Sequence, residues 1–112
     1  MDKLHATKIF ESLASGIRLD VFRLLVKHAP SGLVAGEIAA FLDLPPNNLS
    51  FHLKAMTYAG LINVTQEGRY QRYRAHLTLM QALIDYLTAE CCTADLEPCF
   101  EPNKTSSYCE PL

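Results

Sequence analysis

Apolar side chains recur at helical spacing from the start of the chain. Leu4, Ile9, Phe10 and Leu13 predict a helix over residues 3–14, which Ser15-Gly16 interrupts. A second helix over 17–28 carries Ile17, Val21, Phe22, Leu24, Leu25 and Val26, more apolar surface than a one-sided helix needs. Pro30-Ser31-Gly32 reads as a turn. A short helix over 34–42 follows, with Ile38, Phe41 and Leu42 directed inward. Leu44-Pro45-Pro46 then leads into a helix over 46–59. Pro46 suits its first position, where the missing N–H costs nothing, and Gly60 suits its stop. Leu49, Leu53 and Met56 form the buried stripe of this helix at i, i+4, i+7 spacing. Asn47, Asn48, Ser50, Phe51, His52 and Lys54 fall largely on the other side.

After Gly60 the period changes to that of strands. Residues 61–66 and 70–75 predict a hairpin around Glu67-Gly68-Arg69, with Arg69, Arg72 and Arg74 at its tip or flanks. The last helix is expected over 78–92. Thr78 and Gln81 fit a capping box, and Leu79, Met80, Leu83, Ile84 and Leu87 spread over more than one face. A tail with Pro98, Pro102 and Pro111 follows, so the expected division is a folded domain over 1–92 and an irregular tail over 93–112.

At 112 residues, 49% hydrophobic and 20% charged, the chain has the composition of one globular domain. It has no apolar run of membrane-spanning length, and the first residues carry charges throughout, so neither a membrane partner nor a signal peptide is expected and the expected location is cytoplasmic. A net charge of −2 disfavours nucleic acid until it is resolved along the chain. Residues 1–46 are balanced, residues 77–112 are acidic, and residues 47–76 hold Lys54, Arg69, Arg72 and Arg74 against Glu67 alone. The basic segment is the one that contains the exposed helix face and the hairpin.

Helix, helix, helix, turn, helix, basic hairpin, helix is the order of a winged helix-turn-helix, mainly α with a small β-hairpin wing. Such a unit places one helix in the major groove of double-stranded DNA and the wing beside it. Asn47 and Asn48 can make paired hydrogen bonds to adenine, and Ser50 and His52 can reach a base or a phosphate. Lys54, Arg69, Arg72 and Arg74 suit phosphates. Phe51 suits either a thymine methyl or packing on the wing.

From about Lys8 to Cys92 the chain resembles the ArsR/SmtB family of bacterial metal-responsive winged-helix repressors. Residues 49–62, LSFHLKAMTYAGLI, resemble its recognition helix; residues 67–74, EGRYQRYR, resemble its wing; Leu13-Ala14 and Arg18-Leu19-Asp20-Val21 match the entry to its second helix. The resemblance implies a homodimer paired through the first and last helices, so Leu4, Leu79, Met80, Leu83, Ile84 and Leu87 are candidate interface residues. It also implies an operator with two-fold symmetry and a repressor rather than an activator. An enzyme such as a thiol-based metalloid reductase is disfavoured, because no phosphate-cradling loop or anion-binding turn stands beside the cysteines and the acidic tail would repel an oxyanion.

All four cysteines lie in the last 22 residues: Cys91, Cys92, Cys99 and Cys109. Neighbouring Cα atoms sit about 3.8 Å apart across a trans peptide, short of the roughly 4.4–6.8 Å of an ordinary disulfide. Cys91 and Cys92 therefore suit a soft, thiol-seeking ion better than each other. In the family resembled, one arsenic site is a Cys-x-Cys ahead of the recognition helix, but Val34-Ala35-Gly36 stand there. A zinc-type site on the last helix needs histidine, and only Asp85 and Glu90 are present. Some arsenic-responsive members carry a vicinal cysteine pair and a third cysteine near the C-terminus, and this layout resembles theirs. The resemblance thus implies As(III) or Sb(III) as inducer, held by Cys91, Cys92 and Cys99, with Cys109 as an alternative or spare ligand. A thiol redox switch and a Cd or Zn sensor on the same fold are the alternatives.

Overall fold

The computed structural model describes residues 1–94. Five helices and a three-stranded antiparallel sheet follow in the order α1 (Lys3–Leu13), α2 (Gly16–Lys27), β1 (Leu33–Val34), α3 (Ala35–Leu42), α4 (Pro46–Tyr58), β2 (Ile62–Glu67), β3 (Tyr70–Ala75) and α5 (Leu77–Thr88). The mainly α fold with a β-hairpin wing is the one expected. Among the described residues no helix is long and apolar enough to cross a membrane.

Local chemistry sets the helix boundaries. The Asp2 carboxylate accepts the His5 N–H at 2.8 Å and opens α1. The Ser15 hydroxyl accepts the Arg18 N–H and opens α2, so the Ser15-Gly16 interruption is a helix start. Glu37 in the first turn of α3 accepts the N–H of Val34 at 3.0 Å. At the end of α4, Gly60 stands in the left-handed region at φ 85°. Its N–H donates to Thr57 O, and the Leu61 N–H donates to Met56 O, both at 3.0 Å. This paired closure satisfies carbonyls that the helix end would otherwise leave bare.

The core is drawn from every element, β1 included through Leu33. Ile9 of α1, Val21 and Leu25 of α2, Ile38 of α3 and the Leu49, Leu53 and Met56 stripe of α4 are fully buried, together with Leu61 and Ile62 at the entry to the wing. Each fully buried aliphatic side chain of this size contributes about 1.5–3 kcal/mol from burial. Tyr73 is buried too, so strand packing is its role, and burial pushes its phenol above the usual range.

Four expectations are corrected. The two-residue strand β1 was not foreseen; it pairs Leu33 with Tyr73 and Val34 with Arg72, which makes β3 the central strand of the sheet. Phe41 is exposed rather than inward, its ring tilted against that of His28 with centroids 5.2 Å apart. The last helix begins at Leu77 with His76 at its cap position and no side-chain cap, so Thr78 and Gln81 form no capping box; Gln81 bonds Asp85 instead. That helix also ends at Thr88, and residues 89–94 form turns. The tail expected to be irregular falls almost wholly on residues 95–112, which lie outside the described residues.

Candidate nucleic-acid interface and thiol pair

A tight turn joins α3 to α4. Asp43 takes the left-handed conformation at φ 53° that ends α3, one that a short polar side chain tolerates, and Leu44 N–H returns to Ala39 O at 3.1 Å. Pro45 and Pro46 then start α4, and Leu49 N–H donates to Pro45 O at 3.0 Å. Burying Leu49, Leu53 and Met56 fixes the rotation of α4. Asn47, Asn48, Ser50, Phe51 and Lys54 are consequently exposed on one outward face, with His52 half-buried at its margin. A helix presenting short amides, a hydroxyl and a lysine in its first turns is suited to base edges and phosphates in a major groove.

One residue, Arg18, engages both members of the aromatic pair on this face. His52 Nδ1 accepts a hydrogen bond from Arg18 Nε at 3.0 Å, and burial together with the Arg18 charge holds the His52 pKa below its usual value. The Phe51 ring remains 64% exposed, edge-on to His52 at 5.5 Å between centroids, with the Arg18 guanidinium 5.7 Å above it. The ring contacts of Phe51 are thus with Arg18 and His52, and its exposure is too great for burial against the wing. Arg18 is a contributor to this face that periodicity did not reveal; its separation of 34 residues from His52 hides the pairing from any local pattern.

The wing is a two-residue hairpin. Glu67 pairs with Tyr70 across Gly68-Arg69, and Gly68 supplies the positive φ of 60° that such a turn needs. Its three arginines are not equivalent. Arg72 donates to Glu67 at 2.9 Å and to the Gly32 carbonyl at 3.2 Å. Arg74 donates to the Pro30 carbonyl and to Thr65 Oγ1, both at 3.1 Å, and lies 3.8 Å from the second Glu67 oxygen. These two tie the wing to the turn after α2. Arg69 at the tip is exposed, and among the described residues no bond or ion pair holds it, so it is available to a phosphate.

Opposite chemistry sits on the first and last helices. Leu4 of α1 is 67% exposed and Leu87 of α5 is 58% exposed, with Phe10, Leu77, Ile84 and Tyr86 also open. Leu79 and Met80 are half-buried against the core. Leu83, expected at an interface, is instead 3% exposed and belongs to the core of the chain, because it faces inward on α5.

Just past α5, the Cys91 N–H donates to Thr88 O at 3.0 Å, and Cys92 takes the left-handed conformation at φ 63°. The two thiols converge to an Sγ···Sγ distance of 3.2 Å. This hydrogen bond raises the Cys91 pKa, with desolvation and the charge of Cys92 adding to it. Among the described residues no group of three His, Cys, Asp or Glu is placed to hold a metal, and Cys99 and Cys109 lie outside those residues.

Residues 13–65 match the model of a helix-turn-helix domain. No curated protein matches the chain in sequence. Among solved structures, the fold is similar to HlyU from Vibrio cholerae, at 28% identity over 82% of this chain and 99% of that one with a TM-score of 0.65. It is also similar to an ArsR-like transcriptional regulator from a Rhodococcus species, at 22% identity over 82% and 84% with a TM-score of 0.71. A third likeness is to the homodimeric winged helix-turn-helix DNA-binding domain of Mb0332 from Mycobacterium bovis, a possible ArsR-family regulator, at 23% identity over 83% and 86% with a TM-score of 0.61. The winged helix-turn-helix fold is therefore established. The resemblance to the ArsR/SmtB family holds at the level of that fold and of the helix-turn-helix domain.

Proposed function

We propose that this winged helix-turn-helix chain, similar in fold to ArsR-family transcriptional regulators, is a homodimeric repressor that leaves its operator when As(III) or Sb(III) binds its C-terminal thiolates. The fold and the exposed polar face of α4 support DNA binding, and the open apolar faces of α1 and α5 support pairing of two copies. Specificity for the inducer rests on one observation, the convergence of the Cys91 and Cys92 thiols to 3.2 Å beside the end of α5. Two sulfurs held that close leave a trivalent metalloid one ligand short, and Cys99 supplies the third, with Cys109 as the alternative or spare.

The chemistry balances without a redox step. Arsenous acid and three thiols form three As–S bonds and release three waters, with no electron transferred and no net proton lost. A divalent cation such as Cd²⁺ or Zn²⁺ instead expels a proton from each thiol it binds. The hydrogen bond from the neighbouring thiol raises the Cys91 pKa, the opposite direction from the lowered values of redox-sensing cysteines.

Thiol counting on the reduced full chain, titrated in weak buffer with arsenite and separately with cadmium, tests this reading. The expected result is protection of three thiols per protomer by arsenite without acidification, and none in a Cys91→Ser/Cys92→Ser variant. Cadmium uptake with acidification and no arsenite binding points to the divalent-metal alternative. Disulfide formation by peroxide at low excess, with no metalloid binding, points to the redox switch.

A further inference from the structure

Arg18 stands on α2, outside the helix-turn-helix face, yet it is joined to that face twice. It bonds His52 through Nε at 3.0 Å and covers the Phe51 ring from 5.7 Å. Among the described residues no carboxylate pairs with Arg18, so His52 is its principal polar partner. A guanidinium has only donors, which forces Nδ1 of His52 to be the acceptor. A neutral imidazole whose Nδ1 carries the lone pair has its proton on Nε2. Protonating Nδ1 would set two donors against each other and break the contact. The second ring nitrogen of His52 is thereby left as a pure donor at the margin of the exposed face of α4.

We propose that Arg18 is a positioning residue for the recognition helix, locking His52 in the tautomer that presents Nε2–H to a hydrogen-bond acceptor on DNA. The inference rests on the reading of α4 as the DNA-facing helix. Acceptors of the required kind are guanine N7 and O6, adenine N7, thymine O4 and phosphate oxygens; the amino groups of adenine and cytosine are excluded. Phe51 completes the unit, since the guanidinium above its ring and the His52 edge beside it restrict the rotamers of all three side chains.

Two measurements on the full chain test this. Long-range proton–nitrogen correlation spectra of histidine-labelled protein without DNA report the His52 tautomer. The wild type is expected to show Nε2–H with an unprotonated Nδ1, and Arg18→Met to show a mixture of tautomers. Selection of duplexes from a random pool then compares wild type, Arg18→Met and His52→Ala. If the acceptor is a base, both variants lose preference at the same position, His52→Ala by roughly 5- to 150-fold and Arg18→Met by only about the few-fold that a mixture of tautomers allows, while the rest of the selected sequence persists. If it is a phosphate, both weaken binding to all sequences equally and keep the preference. Arg18→Lys, which retains charge and a donor but not the planar fork, is expected to lie between and carries the comparison should Arg18→Met fail to fold. A wild-type tautomer in the folded Arg18 variants, or wild-type binding by them when His52→Ala is impaired, overturns the proposal. A wild type that binds no duplex overturns the DNA reading itself; the tautomer measurement, which needs no DNA, keeps the two failures distinct.

Discussion

Arg72 and Arg74 look in the sequence like two phosphate ligands, and in the fold they hold the wing to its neighbours. Glu67 engages both, while the carbonyls of Pro30 and Gly32 and the Thr65 hydroxyl accept their other bonds. Such exposed pairs contribute little to stability, about 0–1 kcal/mol each. Their larger effect is on charge available to DNA. Replacing Glu67 by Gln removes the competing carboxylate, so duplex affinity at low salt is expected to rise several-fold. The slope of log affinity against log salt should steepen by about one; anisotropy over a salt series measures both. The basic segment was legible because charges can be counted along a chain. Which arginines are committed was not legible, because their partners on the turn after α2 come from about 40 residues away. Arg18 was missed for the same reason.

The helices and the hairpin were readable because their periods and breakers are strong, and the misses fall where those signals are weak. A two-residue strand such as β1 has no period at all, and it exists because β3 offers a free edge. The helix start at Leu77 was misplaced because Thr78 has the composition of a cap without the position of one. Glycines at the element junctions carry the clearest energetic consequence. Gly32 at φ 74° lies so close to β3 that an added Cβ would collide with the Tyr73 carbonyl oxygen. Gly60 at φ 85° has room for a Cβ, the nearest atom being Leu79 Cδ2 at 3.5 Å. Gly60→Ala is therefore expected to cost only the left-handed penalty, about 1–2 kcal/mol. Gly32→Ala should cost clearly more, because it adds a backbone clash. Chemical denaturation of the two variants checks the order, and equal losses would contradict it.

At the scale of the molecule, the first and last helices leave large apolar side chains open. The apolar residues open on α1 and α5 are those that a second copy could cover, and Leu83 is excluded because its own core already uses it. Leu87→Asp is expected to leave the fold intact and shift the protein to monomer in sedimentation velocity. Operator affinity should fall with it, since one recognition helix then reads one half-site. A dimer undiminished by Leu87→Asp would move the interface elsewhere. The winged fold and the outward face of α4 could be anticipated from pattern alone. The convergence of Cys91 and Cys92 could not, because it depends on the left-handed turn at Cys92 that follows the end of α5. In the proposed function, a ligand on this thiol pair directly after α5 would act on the spacing of two recognition helices, and couplings of this kind are typically about 1–3 kcal/mol.

The most direct test of the account is fluorescence anisotropy on a duplex obtained by selection, titrated with arsenite, using the reduced wild type and the Cys91→Ser/Cys92→Ser variant. The account predicts that arsenite releases DNA from the wild type and leaves the variant complex intact. Arsenite that releases neither complex, or both alike, would contradict it.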